Sequence, residues 1–200
     1  MDVALEPPAR RAGEENLLDA AERLLVEVGH AGITTRGLAS EAGVNHGLVH
    51  YYFGSVENVL ARVLERFTGR LIARQRAMYS ADVPFIDKWR TAIRYLEADR
   101  KYQKVWFELQ ALAWNRPELK ETVARVREEW RDVLLEAFSD PRERYNIPIP
   151  LDVLVTLVVT FNEGIILERL AEITTGHAQL LDWIDGWLEQ EEKEWRQPKH

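Results

Sequence analysis

Between Thr34 and Tyr52 the chain gathers side chains able to exchange hydrogen bonds with a partner: Thr34, Thr35 and Arg36, then Asn45, His46, Gly47, His50, Tyr51 and Tyr52. Arg36 can offer two parallel donors to a guanine edge or hold a phosphate, and Thr35 can bond to phosphate or base. Asn45, His46 and His50 bring polar tips, and Gly47 lets a backbone come close. Tyr51 and Tyr52 bring hydroxyls for phosphates, or rings to pack on sugars and thymine methyls. For Tyr52, packing in the core is the open alternative. His46 and His50 also stand at i, i+4, which puts two imidazoles on one helix face and allows a metal. A zinc site needs a third ligand and usually a Glu base. Position 47 is Gly, and His30, His177 and His200 have no matching spacing. No metal ligand set, catalytic residue or cofactor is therefore expected. With no G-x-S-x-G and no phosphate loop, an enzyme is not the reading.

Two short helices must position these side chains. A hydroxyl at Thr34 or Thr35 can accept from a free amide two or three residues on. Leu38, Ala39 and Ala42 then form a small apolar face, and Gly43 follows where a helix end favours positive φ. Val44 can fill the angle, and Asn45 can cap the next helix. Leu48, Val49, Tyr52 and Phe53 supply the inward side of that helix, leaving His46, Gly47, His50 and Tyr51 outward. Two short helices joined by a tight Gly-containing turn make a helix-turn-helix, whose second helix fits the DNA major groove.

The run GHAGITTRGLASEAGVNHGLVHYYFGSVE, Gly29 to Glu57, resembles the N-terminal signature of the TetR (tetracycline-repressor) family. The shared features are a Gly, a Thr cap, an Ile/Leu-Ala pair, A-G-V, a Gly, a Tyr-x-Phe end and Ser-x-Glu. The likeness covers roughly residues 14 to 65. Two positions depart: Val56 stands where the family often has a phosphate-binding Lys, and His50 replaces the usual first Tyr of the second helix. The resemblance implies an all-α fold with a DNA-binding domain over residues 1–56. Residues 57–200 would form a helical effector-binding and dimerisation domain. It implies a homodimer on a palindromic double-stranded operator, most simply a ligand-responsive repressor in the cytoplasm. A protein-interaction module on the same fold is the rival, motivated by Val56 and by an acidic head. A metalloprotein built on the His46–His50 pair is the other.

That acidity is local as well as global. Net charge is −7, and residues 1–56 carry four arginines against eight acids. Positive charge follows at Arg62, Arg66, Arg70, Arg74 and Arg76, recurring mostly at i+4 on the next helix. The stripe is either a solvated face, or it pairs with carboxylates of the distal domain or touches flanking phosphate. Few cations near the reading face imply few released counterions and a shallow salt dependence. Absence of Cys excludes disulfides and thiol chemistry and suits a reducing compartment. The most apolar run, Leu151 to Leu170, holds Asp152, Asn162, Glu163 and Glu168, which argues against a membrane span and for a buried helix.

Apolar periodicity predicts nine helices and no strand. The first runs from Glu14 to Val28, after an arm over residues 1–12 that is either frayed or reaches a minor groove with Arg10 and Arg11. Ser55 starts a long helix to about Tyr79. Further helices follow from Phe85 to Leu96, Tyr102 to Trp114, Pro117 to about Phe138, Leu151 to about Ile173 and Ala178 to about Trp195. Residues 97–101 either kink the chain or separate two helices, and 139–150, with three prolines, reads as the longest loop.

Trp89, Trp106, Trp114, Trp130 and Phe161, with Gln110 and Asn162 as polar candidates, fall on the helices that in the family wrap an effector. Each aromatic is individually compatible with ordinary core. As a set they suggest a small, largely apolar or aromatic ligand. Leu180, Trp183, Ile184 and Trp187 form a stripe on the last helix, for a second copy or for packing within the monomer.

Overall fold

The computed structural model describes residues 8–196. Among them are nine α-helices, one 3₁₀ turn (His30–Gly32) and no strand. The helices are α1 (Pro8–Val28), α2 (Thr35–Glu41), α3 (Gly47–Phe53), α4 (Val56–Tyr79), α5 (Phe85–Ala98), α6 (Arg100–Ala113), α7 (Pro117–Arg144), α8 (Leu151–Leu170) and α9 (His177–Arg196). The all-α expectation holds, with boundaries moved, three of them instructive. Helix α1 begins at Pro8, six residues before Glu14. A proline suits a first helical position, where its missing N–H has no intrahelical partner to lose. Residues 1–7 of the expected arm lie outside the described residues. Asp99 alone separates α5 from α6, with its N–H bonded to the Tyr95 carbonyl. Arg74 binds the Asp99 carboxylate and lies over the Tyr95 ring, 4.1 Å from its centroid, so tertiary contacts hold that junction.

The third shift is at the expected loop 139–150. Helix α7 continues through Pro141 to Arg144. A helix-interior proline normally removes a backbone bond and kinks the chain. Here Phe138, Pro141 and Tyr145 are all buried, so the extra turn extends the apolar stripe and packing overrides local propensity.

Packing divides the chain into two compact units, residues 1–69 with 101–126, and residues 70–100 with 127–200. The first holds α1 to α3, the first half of α4, α6 and the start of α7. Its core joins Leu17, Leu25, Leu38, Val49, Val59 and Leu64 to Leu109 and Leu119. No break in packing falls at Val56, whose half-buried side chain lies against that core.

The second unit packs α5, α8, α9 and the rest of α7 around Phe85, Leu134, Phe138, Tyr145, Val155 and Leu188. The buried Glu192 carboxylate accepts the Tyr145 hydroxyl and an Arg196 N–H at 3.0 Å. Burial and that carboxylate push the Tyr145 hydroxyl well above the ordinary tyrosine range. Arg90 on α5 grips Asp185 on α9 through two parallel bonds of 2.8 and 2.7 Å. The hydrogen bond from Arg90 holds the Asp185 carboxyl below its ordinary value, against a smaller opposing effect of burial. A depressed folded-state value means stabilisation present above the unfolded carboxylate range and lost as pH falls through the folded value. Asp185→Asn should therefore lower the melting temperature near neutral pH. The gap to wild type should close as pH drops below the carboxylate range; a gap unchanged by acid would refute this role.

Helix α8 is not covered on all sides. Leu154, Val155 and Ile165 are buried, whereas Val153, Leu157, Leu167 and Leu170 are exposed. Its apolar all-round character thus outruns what its own chain covers.

Candidate nucleic-acid interface

Local bonding builds the two short helices as a rigid pair. The Thr34 hydroxyl accepts from the Gly37 N–H at 3.0 Å, so Thr34 rather than Thr35 caps α2. At the other end Gly43 takes φ 67°. Its N–H donates to Ser40 and the Val44 N–H to the Ala39 carbonyl, a Schellman closure that only a residue tolerant of positive φ accepts readily. Val44 packs on the core at this angle.

Asn45 Oδ1 accepts from the Gly47 N–H at 2.8 Å, one residue before the helix cap position occupied by His46. Helix α3 buries Val49 and Phe53 and sets Leu48 and Tyr52 against the core. His46, Gly47, His50 and Tyr51 are exposed, Tyr51 by 63%. The end of α3 is closed by two side chains. Asn58 Nδ2 donates to the Phe53 carbonyl at 2.7 Å, and His50 Nδ1 to the Gly54 carbonyl at 2.9 Å.

Most of the expected reading residues are open to solvent: Thr34, Arg36, Asn45, His46, Gly47, His50 and Tyr51 are exposed and Thr35 is half-buried. Tyr52 departs from them. Its ring is half-buried against the head core, edge-on to Tyr51 and Phe53, and its hydroxyl lies where a Cβ on Gly13 of α1 would stand 3.0 Å away. It is a packing residue that orients α3 against α1. Around the His46–His50 pair, no group of three or more His, Cys, Asp or Glu side chains assembles among the described residues.

Charge in the head is arranged by pairing. Arg66 of α4 binds Glu15, Asp19 and Glu22 of α1 at 3.0, 2.8 and 3.0 Å. Partial burial opposes its charge, but the bonds to Glu22 and Asp19 outweigh this and hold the guanidinium above its ordinary value. Arg62 binds Glu65 at 3.0 Å and stands 4.0 Å from Glu14. Arg66 thus neutralises acids of α1, whereas Arg62 remains an exposed side chain paired chiefly on its own helix. Arg23 is taken by Glu41 at 2.8 Å, while Arg36 has no ion pair among the described residues and remains available.

One contact escaped the residue pattern. Glu108 of α6 accepts both the backbone N–H of His30 at 2.8 Å and its ring Nδ1 at 2.7 Å. The preceding Gly29 has φ 73° and ψ 175°, and a Cβ there would lie 2.7 Å from Glu108 Oε1. Glu108 thereby fixes the turn that leads into Ile33 and the Thr34 cap. A Gly-His pair before a helix-turn-helix was visible, but nothing local points to a carboxylate 78 residues on.

The sequence model described as "Bacterial regulatory proteins, tetR family" matches residues 17–63, the stretch from α1 into α4. Over that stretch the chain is similar to the TetR family of regulators. Among curated TetR-family relatives, the regulator BetI of Rhizobium meliloti is 38% identical over 69 residues, 34% of this chain and 32% of BetI. The chain thus spans about a third of that relative's length. EthR of Mycobacterium tuberculosis is 26% identical over 186 residues, covering 88% of this chain and 86% of EthR. The fatty acid degradation regulator FadR from Bacillus halodurans shares the fold with a TM-score of 0.71 at 18% identity, over 92% of this chain and 96% of FadR.

In this chain the expected ligand residues fall into two groups. Trp106 and Gln110 belong to the first unit, Trp106 packing on its core and Gln110 buried. Trp89, Trp130, Phe161 and Asn162 belong to the second, with the Trp89 and Phe161 rings 6.2 Å apart. Trp114 stands 82% exposed at the end of α6, so it is a surface residue and lines no enclosed site. The α9 stripe is split as well. Leu180 and Trp183 are exposed, Trp183 by 68%, whereas Ile184 and Trp187 pack on the core of their own unit. No helix among the described residues is long and apolar enough to cross a membrane.

Proposed function

We propose that this chain is a one-component transcriptional regulator that binds a palindromic DNA operator as a homodimer, a repressor released by a small effector, and that it is not an enzyme. The observation that carries the reading is the exposed His46, Gly47, His50 and Tyr51 on a helix whose other side packs on the core, with Arg36 exposed on α2 and without an ion pair among the described residues. Residues 1–56 are the reading head in this account and 57–200 the effector-binding and dimerisation part. The cytoplasm is the compartment where such a protein meets its DNA. The effector is small and apolar or aromatic, held among residues such as Trp89, Trp130, Phe161 and Asn162. An effector that prefers one head arrangement weakens DNA binding by its differential affinity, and DNA weakens effector binding equally. Selection from a randomised duplex library tests the core claim: enrichment of a palindrome supports it, and none at moderate salt refutes it.

A second copy is the occupant we assign to the exposed apolar face of the second unit. The assignment covers the exposed apolar side chains Val153, Leu157, Leu167 and Leu170 of α8 and Leu180 and Trp183 of α9. Gly164, also on α8, has open space at its Cβ position, room for a close helix from the partner. A two-fold interface of this kind matches a palindromic site. Leu157→Glu combined with Trp183→Glu should convert the dimer to a folded monomer, read by sedimentation at micromolar concentration. A variant that stays dimeric would place the interface elsewhere.

A further inference from the structure

Where α3 ends, the His50 ring donates from Nδ1 to the Gly54 carbonyl oxygen at 2.9 Å. A carbonyl oxygen can only accept, so in the neutral imidazole the proton of this bond sits on Nδ1. The other nitrogen, Nε2, is then an acceptor with no partner among the described residues, on a ring exposed beside Gly47 and Tyr51. The bond also favours this ring orientation, because turning the ring would exchange the Gly54 carbonyl for water.

We propose that His50 is a specificity-determining residue that selects an amino-bearing base, adenine or cytosine, in the major groove. There adenine offers its N6 amino group and cytosine its N4, whereas guanine and thymine present only acceptors and a methyl group. An acceptor facing guanine O6 or N7, or thymine O4, meets like polarity. A tyrosine at this position would offer a hydroxyl that both donates and accepts and would not discriminate in this way. The proposal rests on the regulator reading above and deepens it by naming what one residue of the reading face prefers.

The full chain and His50→Ala are each taken through selection from a randomised duplex library at a pH of about 8, above the ordinary imidazole range. The wild type should enrich a palindrome in which one position per half-site carries adenine or cytosine on a given strand. His50→Ala should relax that position by about threefold to tenfold, the worth of one hydrogen bond, and leave the others unchanged. Preferences that survive His50→Ala everywhere, or a relaxed position that had favoured guanine or thymine, would overturn the assignment alone. A wild type that enriches no palindrome overturns the regulator reading and this proposal with it. The nitrogen-15 spectrum of the His50 imidazole in the full-length protein gives a readout independent of DNA and decides the matter if His50→Ala loses the fold. A proton on Nδ1 is expected, and a neutral ring protonated on Nε2 refutes the proposal.

Discussion

Arg36→Ala is expected to weaken binding to the selected palindrome by on the order of 30-fold to 10⁴-fold while the dimer persists. A bidentate guanidinium–guanine pair contributes about 1–3 kcal/mol, and a symmetric dimer loses it twice. The residue is exposed and has no ion pair among the described residues, so its removal leaves no stranded acid in the head. Fluorescence anisotropy on labelled duplex gives the affinity, and sedimentation checks the dimer. Repeating the titration across salt separates two roles. A base contact weakens the cognate duplex selectively. A phosphate contact weakens all duplexes alike and flattens the salt slope by about one per half-site, about two for the dimer. Tyr51→Ala should act in the same direction, since the residue is 63% exposed on α3. Unchanged operator affinity in both variants would show that the reading face has been placed wrongly.

Gly29→Ala is expected to lower the stability of the first unit by about 2–5 kcal/mol, seen as a fall of roughly 5–15 °C in melting temperature. Two separate effects add. At φ 73° and ψ 175° the backbone occupies a region essentially reserved for glycine, strained by about 1–3 kcal/mol for other residues. The new Cβ would also stand 2.7 Å from Glu108 Oε1, the oxygen that holds both His30 donors. Either the carboxylate moves away or the turn does, and moving the carboxylate leaves the two His30 donors without their acceptor. Glu108→Ala alone should cost about 1–3 kcal/mol through those lost bonds. In the double variant the steric part disappears and the backbone strain remains, so the two effects should sum to less than additive. Full additivity would mean that Gly29 and Glu108 do not meet. Because this turn leads directly into Thr34 and Arg36, operator affinity should fall alongside stability in each variant.

How much of this was legible beforehand follows from the range of the interactions. Caps and turns operate over three to five residues, so the cap could be narrowed to Thr34 or Thr35 and Gly43 and Val44 assigned from neighbours alone; the bonding picks Thr34 and agrees at the other two. Amphipathic periodicity is equally local, and it separated Val49 and Phe53 from His50 and Tyr51. The boundaries that moved are those where packing overrides local preference. Pro141 reads as a helix stop until burial of Phe138 and Tyr145 on either side rewards another turn. The arginine stripe of α4 looked like a solvated face because an i+4 row says nothing about the helix opposite. Arg66 meets Glu15, Asp19 and Glu22 only once α1 is laid beside it.

The amino-acid order by itself thus determined the all-α class, the helix-turn-helix and which side of α3 faces outward, since those depend on residues within a turn or two of one another. Tertiary structure alone decided that the inward-facing Tyr52 meets Gly13 of α1, that Trp114 stands on the surface, and that Glu108 braces the turn at Gly29. Each of these depends on two segments distant in sequence meeting at van der Waals or hydrogen-bond range, and no periodicity within either segment encodes the meeting.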